Sequence, residues 1–131
     1  MTEQGLSGCE KCFQADAEAM DKARVKFARI ARLVDESHFD ISILACPACG
    51  QHWVSIFTEW IDWQDGDDPQ YISELPVTEK ESKMLIAGGK EIEKKVELLG
   101  RKRRHLRVDH PKGGPRRIGW SDFALLIGPH D

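Results

Sequence analysis

Several features by which enzymes and membrane proteins are recognised are missing from this sequence. No stretch approaches the roughly 18 apolar residues of a membrane-spanning helix, and the N-terminal residues lack a basic region followed by an apolar run. There is no Gly-x-Ser-x-Gly, no phosphate-binding Gly-Lys-Ser/Thr loop and no His-Glu-x-x-His. These absences predict a cytoplasmic protein that is not an enzyme.

Cysteine is scarce, and its placement is the strongest signal in the chain. The 131 residues contain four cysteines, arranged as Cys9-x-x-Cys12 and Cys46-x-x-Cys49. This spacing lets both thiolates of a tight turn face one ion, and two such turns supply the tetrahedral sulfur set that structural zinc prefers. Gly50 gives the backbone the freedom to turn back after the second pair. The sequence therefore predicts one Zn²⁺ bound by these four cysteines.

Two other interpretations of the cysteines stay open. A single Cys-x-x-Cys pair is also typical of thioredoxin-like redox sites, where the reactive cysteine begins a helix, but residues 51–58 are β-prone and the other pair is then unexplained. Disulfide bonds would suit a secreted protein, and nothing marks this chain as one. Zinc bound by four thiolates has no open position for water, so a structural ion is expected. His52, three residues past Cys49, is either a ligand or an ordinary strand residue.

Composition and charge predict one folded domain with two charged blocks. With 40% hydrophobic and 31% charged residues, the chain predicts a single zinc-binding domain over residues 1–131. The net charge of −3 is unevenly distributed. Residues 59–81 contain eight acidic residues and one lysine, and residues 90–117 contain eleven basic and four acidic residues. The two blocks either neutralise each other in the fold or serve as binding faces.

Hydrophobic periodicity predicts an α+β fold. Apolar residues recur every seven positions over residues 13–34, which predicts an amphipathic helix. Residues 38–45, 51–63, 70–77, 101–108 and 116–120 are β-prone. Thr78 and Glu81 form a capping box that begins a helix running to Leu99, interrupted at Gly88 and Gly89. The expected architecture is a zinc-clamped antiparallel sheet with an N-terminal helix and a second, interrupted helix.

The region around the second cysteine pair resembles a zinc ribbon. Two β-prone runs meet at the turn Cys46-Pro-x-Cys49-Gly50, as the hairpin of a zinc ribbon does. The resemblance covers residues 38–63 and the remote first pair. It implies that Cys46 and Cys49 are ligands and that Cys9 and Cys12 close the site. The chain departs from that pattern because its first pair is followed by a predicted helix instead of a second hairpin.

The acidic block predicts a protein-binding face. Aromatic anchors beside a charged rim are typical of such faces, and the candidate residues are Trp60, Asp62, Trp63, Asp65, Asp67 and Asp68. An antitoxin or immunity protein that masks a basic toxin would have this size and charge. The alternative is that the tryptophans lie in the core and the aspartates only shape the turn before Pro69.

The basic block supports a second hypothesis, a nucleic-acid-binding or transcription-associated protein. Its candidate phosphate contacts are Arg101, Arg103, Arg104, Arg107, Arg116 and Arg117. Against this, no aromatic residue lies between Arg101 and Arg117, although stacking platforms usually interleave basic and aromatic side chains. The other interpretation is a solvated hairpin edge whose positive charge prevents strand pairing with neighbours.

Overall fold

A computed structural model describes residue 6 and residues 8–127, and over these the chain is an α+β protein, as predicted. Its sheet has six antiparallel strands, each paired with the next in sequence. The strands are β1 (Ala28–Glu36), β2 (Phe39–Ala45), β3 (His52–Glu59), β4 (Gln70–Val77), β5 (His105–His110) and β6 (Arg117–Ser121). The helices are α1 (Ala17–Arg24), α2 (Glu79–Ala87) and α3 (Ile92–Leu99). Within the described ranges, every helix is too short or too polar to cross a membrane.

Both faces of the sheet are covered, and each has its own core. On one face, apolar residues of β2, β3 and β4 pack with Leu85 of α2, Val96 of α3 and Leu125 near the C-terminus. On the other face, Trp53 of β3 packs with Met20 of α1 and with residues of the N-terminal segment and β5. Strand β3 therefore contributes side chains to both cores, which agrees with its apolar residues on both faces.

The predicted helix over residues 13–34 is wrong beyond its central part. Helix α1 ends at Arg24, and β1 begins at Ala28 and pairs with β2. The seven-residue repeat is misleading because its members pack in different places. Phe13, Met20 and Phe27 join the core beneath α1, whereas Val34 joins the core on the opposite face. One straight helix cannot reach both faces, and pairing with β2 decides the conformation of the second half.

The second helix is divided as the sequence predicts. The Thr78 hydroxyl accepts from the Glu81 amide, and the Glu81 carboxylate accepts from the Thr78 amide, so both halves of the capping box form. Gly88 and Gly89 have φ values of 81° and 108°. Because residues with side chains rarely adopt this backbone conformation, the pair ends α2 and redirects the chain into α3.

A buried charge network anchors α1 to the sheet. Arg24 pairs with Asp21 at 2.8 Å and with Glu74 of β4 at 3.4 Å. Arg116, which precedes β6, also pairs with Asp21. The Glu74 carboxylate is fully buried and accepts the Ser55 hydroxyl at 2.8 Å. Burial raises the pKa of Glu74 to about 7, although the attraction of Arg24 opposes the shift.

Glu74 should make folding stability fall as the pH rises. Its folded pKa lies above the ordinary value of 4.5, so its stabilising contribution is complete below pH 4.5 and is lost as the pH passes through about 7. The predicted loss is roughly 3 kcal/mol. Denaturant unfolding between about pH 5 and pH 8 should show the native protein losing stability relative to Glu74→Gln. Glu36→Gln, at the exposed end of β1, is the control and should follow the native profile. A pH-independent difference between the native protein and Glu74→Gln would contradict this role.

Candidate metal centre

The first cysteine turn precedes α1 and is held by its own backbone. The amides of Cys12 and Gln14 both donate to the Cys9 carbonyl at 3.1 Å, and the Cys9 amide donates to the Cys12 sulfur at 3.2 Å. Gly8 has a φ of 58°, and a Cβ added there would lie 2.3 Å from the Cβ of Phe13. The turn therefore requires glycine at position 8.

The second cysteine turn connects β2 to β3, as the predicted hairpin requires. The Cys46 amide donates to the Gln51 carbonyl at 3.0 Å, and the Gly50 amide donates to the Cys46 carbonyl at 2.7 Å. Gly50 has a φ of 81°, so the glycine supplies the conformation that reverses the chain. A strand, and not the helix of a thioredoxin-like redox site, follows Cys49.

The two turns bring all four sulfurs together. The Sγ atoms of Cys9 lie 3.8 Å from Cys12 and 3.9 Å from Cys46, and those of Cys12 and Cys49 are 3.6 Å apart. All four lie within 4.8 Å of one another. A tetrahedral ion with metal–sulfur bonds of about 2.3 Å requires sulfurs about 3.8 Å apart. The cysteines are free, without disulfide bonds, and their arrangement can hold a metal ion.

A metal ion bound at this cluster would have to displace thiol protons. Burial raises the pKa of Cys12 and of Cys49. For Cys9, burial acts in the same direction, but hydrogen bonds from the Lys11 amide and from the other thiols outweigh it and lower the pKa. Four neighbouring thiolates repel one another unless a cation compensates their charge, so metal binding and the loss of thiol protons are coupled.

Gln51 ties the two cysteine turns together. Its side-chain Nε2 donates to the Val77 carbonyl at 2.8 Å and to the His52 carbonyl at 3.0 Å. Its Oε1 accepts the Gly8 amide at 3.2 Å, one residue before Cys9. Gln51 thus connects the first turn, the second turn and β4, and its side chain is buried.

His52 lies outside the sulfur cluster. Its Nδ1 lies 2.8 Å from the hydroxyl of Ser82, which is buried on α2. The group of residues close enough to share an ion consists of the four cysteines alone within the described part of the chain. His52 therefore contacts α2, on the side away from α1.

The acidic loop between β3 and β4 exposes its tryptophans. Trp63 is 85% exposed and Trp60 is 48% exposed, so the alternative that places them in the core is wrong. The side chain of Asp65 is 67% exposed, and it lies 3.2 Å from Lys112 in the turn between β5 and β6.

The other aspartates of this loop organise its backbone. Asp62 pairs with Lys112 at 2.9 Å, and this contact holds the pKa of Asp62 at about 2. Asp68 accepts the Asp62 amide and Asp67 accepts the Gly113 amide, both at 2.7 Å. The acidic and basic blocks are thus partly neutralised by each other at this end of the sheet, and the turn-shaping alternative holds for these three aspartates.

Arg103, one of the proposed phosphate contacts, is buried. Its guanidinium donates to both carboxylate oxygens of Glu81, at 2.8 and 3.0 Å, and to the Pro76 carbonyl at 3.0 Å. Glu81 is the residue that caps α2, so Arg103 joins the start of that helix to the end of β4.

The remaining arginines of the basic block do not form one patch. Arg107 lies 3.3 Å from Asp109, and Arg116 is part of the charge network beneath α1. Arg104 lies over the Trp120 ring at 4.9 Å, at the opposite end of the β5–β6 hairpin from Arg117. The arginines of the set that are exposed without an ion pair to a described carboxylate are Arg101, Arg104 and Arg117.

No protein-family model matches this chain, and no significant match arises with curated proteins or with solved structures. The local geometry of the described residues is therefore the basis for assigning a function.

The buried, structural roles of Gln51 and Glu74 were not identified from the sequence, although the local sequence around each residue indicates such a role. Gln51 is an amide directly after a Cys-x-x-Cys-Gly turn, where the chain enters an apolar strand. Glu74 lies between Ile72 and Pro76 in a β-prone run, and both of these neighbours on the same face of the strand are apolar. Such isolated polar residues in apolar strands usually have a buried partner.

Replacing Gln51 with alanine should weaken metal binding without removing a sulfur. The change deletes the connection between the residue before Cys9 and the rest of the site, and losses of this kind reduce metal affinity by about tenfold to a hundredfold. Competition with a coloured chelator, using added Zn²⁺, measures the affinity. His52→Ala, which loses only the contact with Ser82, should bind within about twofold of the native protein. Equal affinities of Gln51→Ala and the native protein would show that the sulfurs alone organise the site.

Proposed function

We propose that the four cysteines bind one Zn²⁺ with a structural role. The observation that supports this is that three of the sulfur–sulfur distances are 3.6 to 3.9 Å, close to the edge length that a four-thiolate zinc site requires, and that all four sulfurs lie within 4.8 Å of one another. Four protein sulfurs fill the tetrahedral coordination sphere, and the ion would stabilise the fold by joining the two turns.

The position of the cluster explains how much stability such an ion would add. Cys9 and Cys46 are 37 positions apart, so a shared ion closes a long loop that contains α1 and β1. Cys12 and Cys46 are buried in the same core as Met20 and Trp53. Structural zinc can supply on the order of 10 kcal/mol, which is comparable to the whole stability of a small domain.

Protein purified under reducing conditions should contain one zinc per chain. Cys49→Ser, which removes the exposed ligand, should lose the metal and the cooperative unfolding transition. Elemental analysis and thermal unfolding test both expectations, and native protein treated with a chelator provides the control for metal loss without mutation. Native protein that is purified without metal and whose thiols do not bind added Zn²⁺ would refute the zinc site. Iron in the purified protein would show that the four thiolates bind iron instead of zinc.

We further propose that the protein acts as a non-catalytic binding protein for a macromolecular partner with a basic surface. The supporting observation is the exposure of Trp60 and Trp63 beside the acidic loop. Tryptophan is enriched among the residues that dominate the binding energy at the centres of protein interfaces. Lys112 compensates part of the loop's charge, and the four aspartates leave it net negative. An antitoxin or immunity protein that masks a basic toxin is a concrete version of this function.

The residues of the loop differ in how far they maintain its shape and in how exposed they are. The Asp62 side chain is only 8% exposed and accepts two backbone amides of its own loop, so its removal would disturb the turn. Asp65 is 67% exposed, and Trp63 is more exposed still. Replacements at these last two positions therefore report on binding.

Trp63→Ala should weaken partner binding, and Asp65→Asn should slow association at low salt. A buried tryptophan anchor is worth about 2 kcal/mol or more at an interface, whereas a rim charge mainly affects the association rate. Affinity purification of the partner, followed by association kinetics at two salt concentrations, measures both effects. Phe123→Ala and Asp35→Asn replace an equally exposed aromatic and an equally exposed aspartate elsewhere, and both should bind like the native protein. Native-like kinetics for both loop variants would refute the acidic face.

Nucleic acid is the alternative partner, and the same material tests it. Salt-sensitive retention on DNA or RNA that is lost on replacing Arg101 and Arg104 would favour that function. Arg103 is unsuitable for this test because its guanidinium holds Glu81 at the start of α2, so its replacement would disturb the fold.

A further inference from the structure

A groove of about 710 Å³ runs between α1 and the two cysteine turns. Part of its lining consists of small or apolar side chains, which we call the floor. These are Ala19 and Ala23 of α1, Phe27 just after α1, and Pro47 and Ala48 of the second cysteine turn. The groove lies on the side of the metal centre away from His52 and α2. The side chains of these floor residues take no part in the hydrogen bonds of the two cysteine turns or of Gln51.

The helix periodicity of α1 explains why this face is free. Met20, Asp21 and Arg24 point toward the sheet, where they join the core and the charge network. Ala19 and Ala23, four residues apart, therefore lie together on the outward side. Two alanines at this spacing leave a shallow depression that a side chain of another molecule can enter.

Three lysines line the groove, and they are unpaired. Lys22 and Lys26 lie on the α1 side and Lys11 lies in the first cysteine turn, with Glu10 as the one acidic residue among the lining side chains. None of the three lysines forms an ion pair with a carboxylate in residues 8–127. By contrast, Arg24 of the same helix is paired with two carboxylates. The groove thus combines an apolar floor with uncompensated positive charge.

We propose that this groove binds an acidic peptide segment of a partner protein, with an apolar side chain of the peptide seated on the alanines. Lysines at the margin complement carboxylates and increase the association rate, and the floor buries apolar surface. A peptide fits better than a nucleic acid, because the floor is mostly small and aliphatic and its one aromatic ring, Phe27, packs against the Trp53 ring, with centroids 6.4 Å apart, instead of standing free to stack on a base. This surface is distinct from the acidic loop and would contact a partner of opposite charge.

The groove depends on the metal centre, so this proposal rests on the proposed metal site. Glu10 and Lys11 come from the first cysteine turn, Pro47 and Ala48 from the second, and the sulfurs are what bring the turns together. Releasing the ion would free the first turn from the second and separate the walls. Peptide binding should therefore require the metal.

Fluorescence anisotropy with a short labelled peptide of glutamate and leucine, added to the metal-loaded protein, tests the groove. Lys22→Glu with Lys26→Glu should reduce the affinity about tenfold or more. Lys90→Glu with Lys94→Glu changes the net charge equally at exposed positions near and on α3 and should have little effect. Ala19→Phe, which fills the floor without changing charge, should also weaken binding. A peptide with serine in place of leucine should bind more weakly, and treatment of the native protein with a chelator should abolish binding.

Four results would overturn the proposal. Equal losses of peptide affinity in the two double lysine variants would show general charge attraction. An Ala19→Phe variant that binds the peptide as tightly as the native protein would show that the peptide does not contact the floor. A nucleic-acid surface would be identified instead if oligothymidylate binds the native protein as tightly as the peptide does and does not bind the variant with Lys22→Glu and Lys26→Glu. Metal content measured on the same samples separates the two proposals. Metal-loaded protein that binds no peptide refutes the groove alone, and peptide binding by protein that takes up no metal refutes the metal site alone.

Discussion

The convergence of four sulfurs from distant parts of the chain is the constraint on which this structure depends. Between the two turns the chain passes through α1, which packs against β5 and β6, and through β1, which pairs with β2, so the cluster joins the two ends of this N-terminal path. Trp53, Phe13 and Met20 pack in the core beneath α1. Apolar burial and sulfur clustering thus favour the same arrangement, and such agreement between local and long-range interactions is typical of sequences that specify one fold.

Several pairs of opposite charges join separate parts of the fold. Arg103 holds Glu81 at the start of α2, Lys112 holds the acidic loop, and Arg24 reaches the buried Glu74. A charge removed from water is costly unless it is paired, so each contact fixes the position of an element more than it adds net stability. The uncompensated charges that remain are therefore informative, and the groove beside α1 contains three of them.

Local patterns predicted much of this fold and of its candidate site. Alternation predicted β2 and a β-prone run predicted β4, both with nearly their observed bounds, the capping box predicted the start of α2, and cysteine spacing identified the four sulfurs. The β1 strand was missed because its pairing with β2, which no local pattern records, overrides a helical repeat. The buried positions of Arg103 and Glu74 were missed for a related reason: each depends on a partner more than 20 residues away. Spacing predicts ligands within a turn, but burial of a charge is a property of the whole fold.

The strand that begins at the cysteine cluster ends at the exposed tryptophans. β3 starts after Cys49 and ends at Glu59, directly before Trp60, and eight residues of strand span about 25 Å. The basic groove and the acidic loop therefore lie at opposite ends of one rigid element, too far apart to neutralise each other. Contacts at the loop are held by Lys112 and the loop's own aspartates, whereas contacts at the groove depend on the sulfurs. The groove is therefore the surface whose shape would depend directly on an ion held by the four sulfurs.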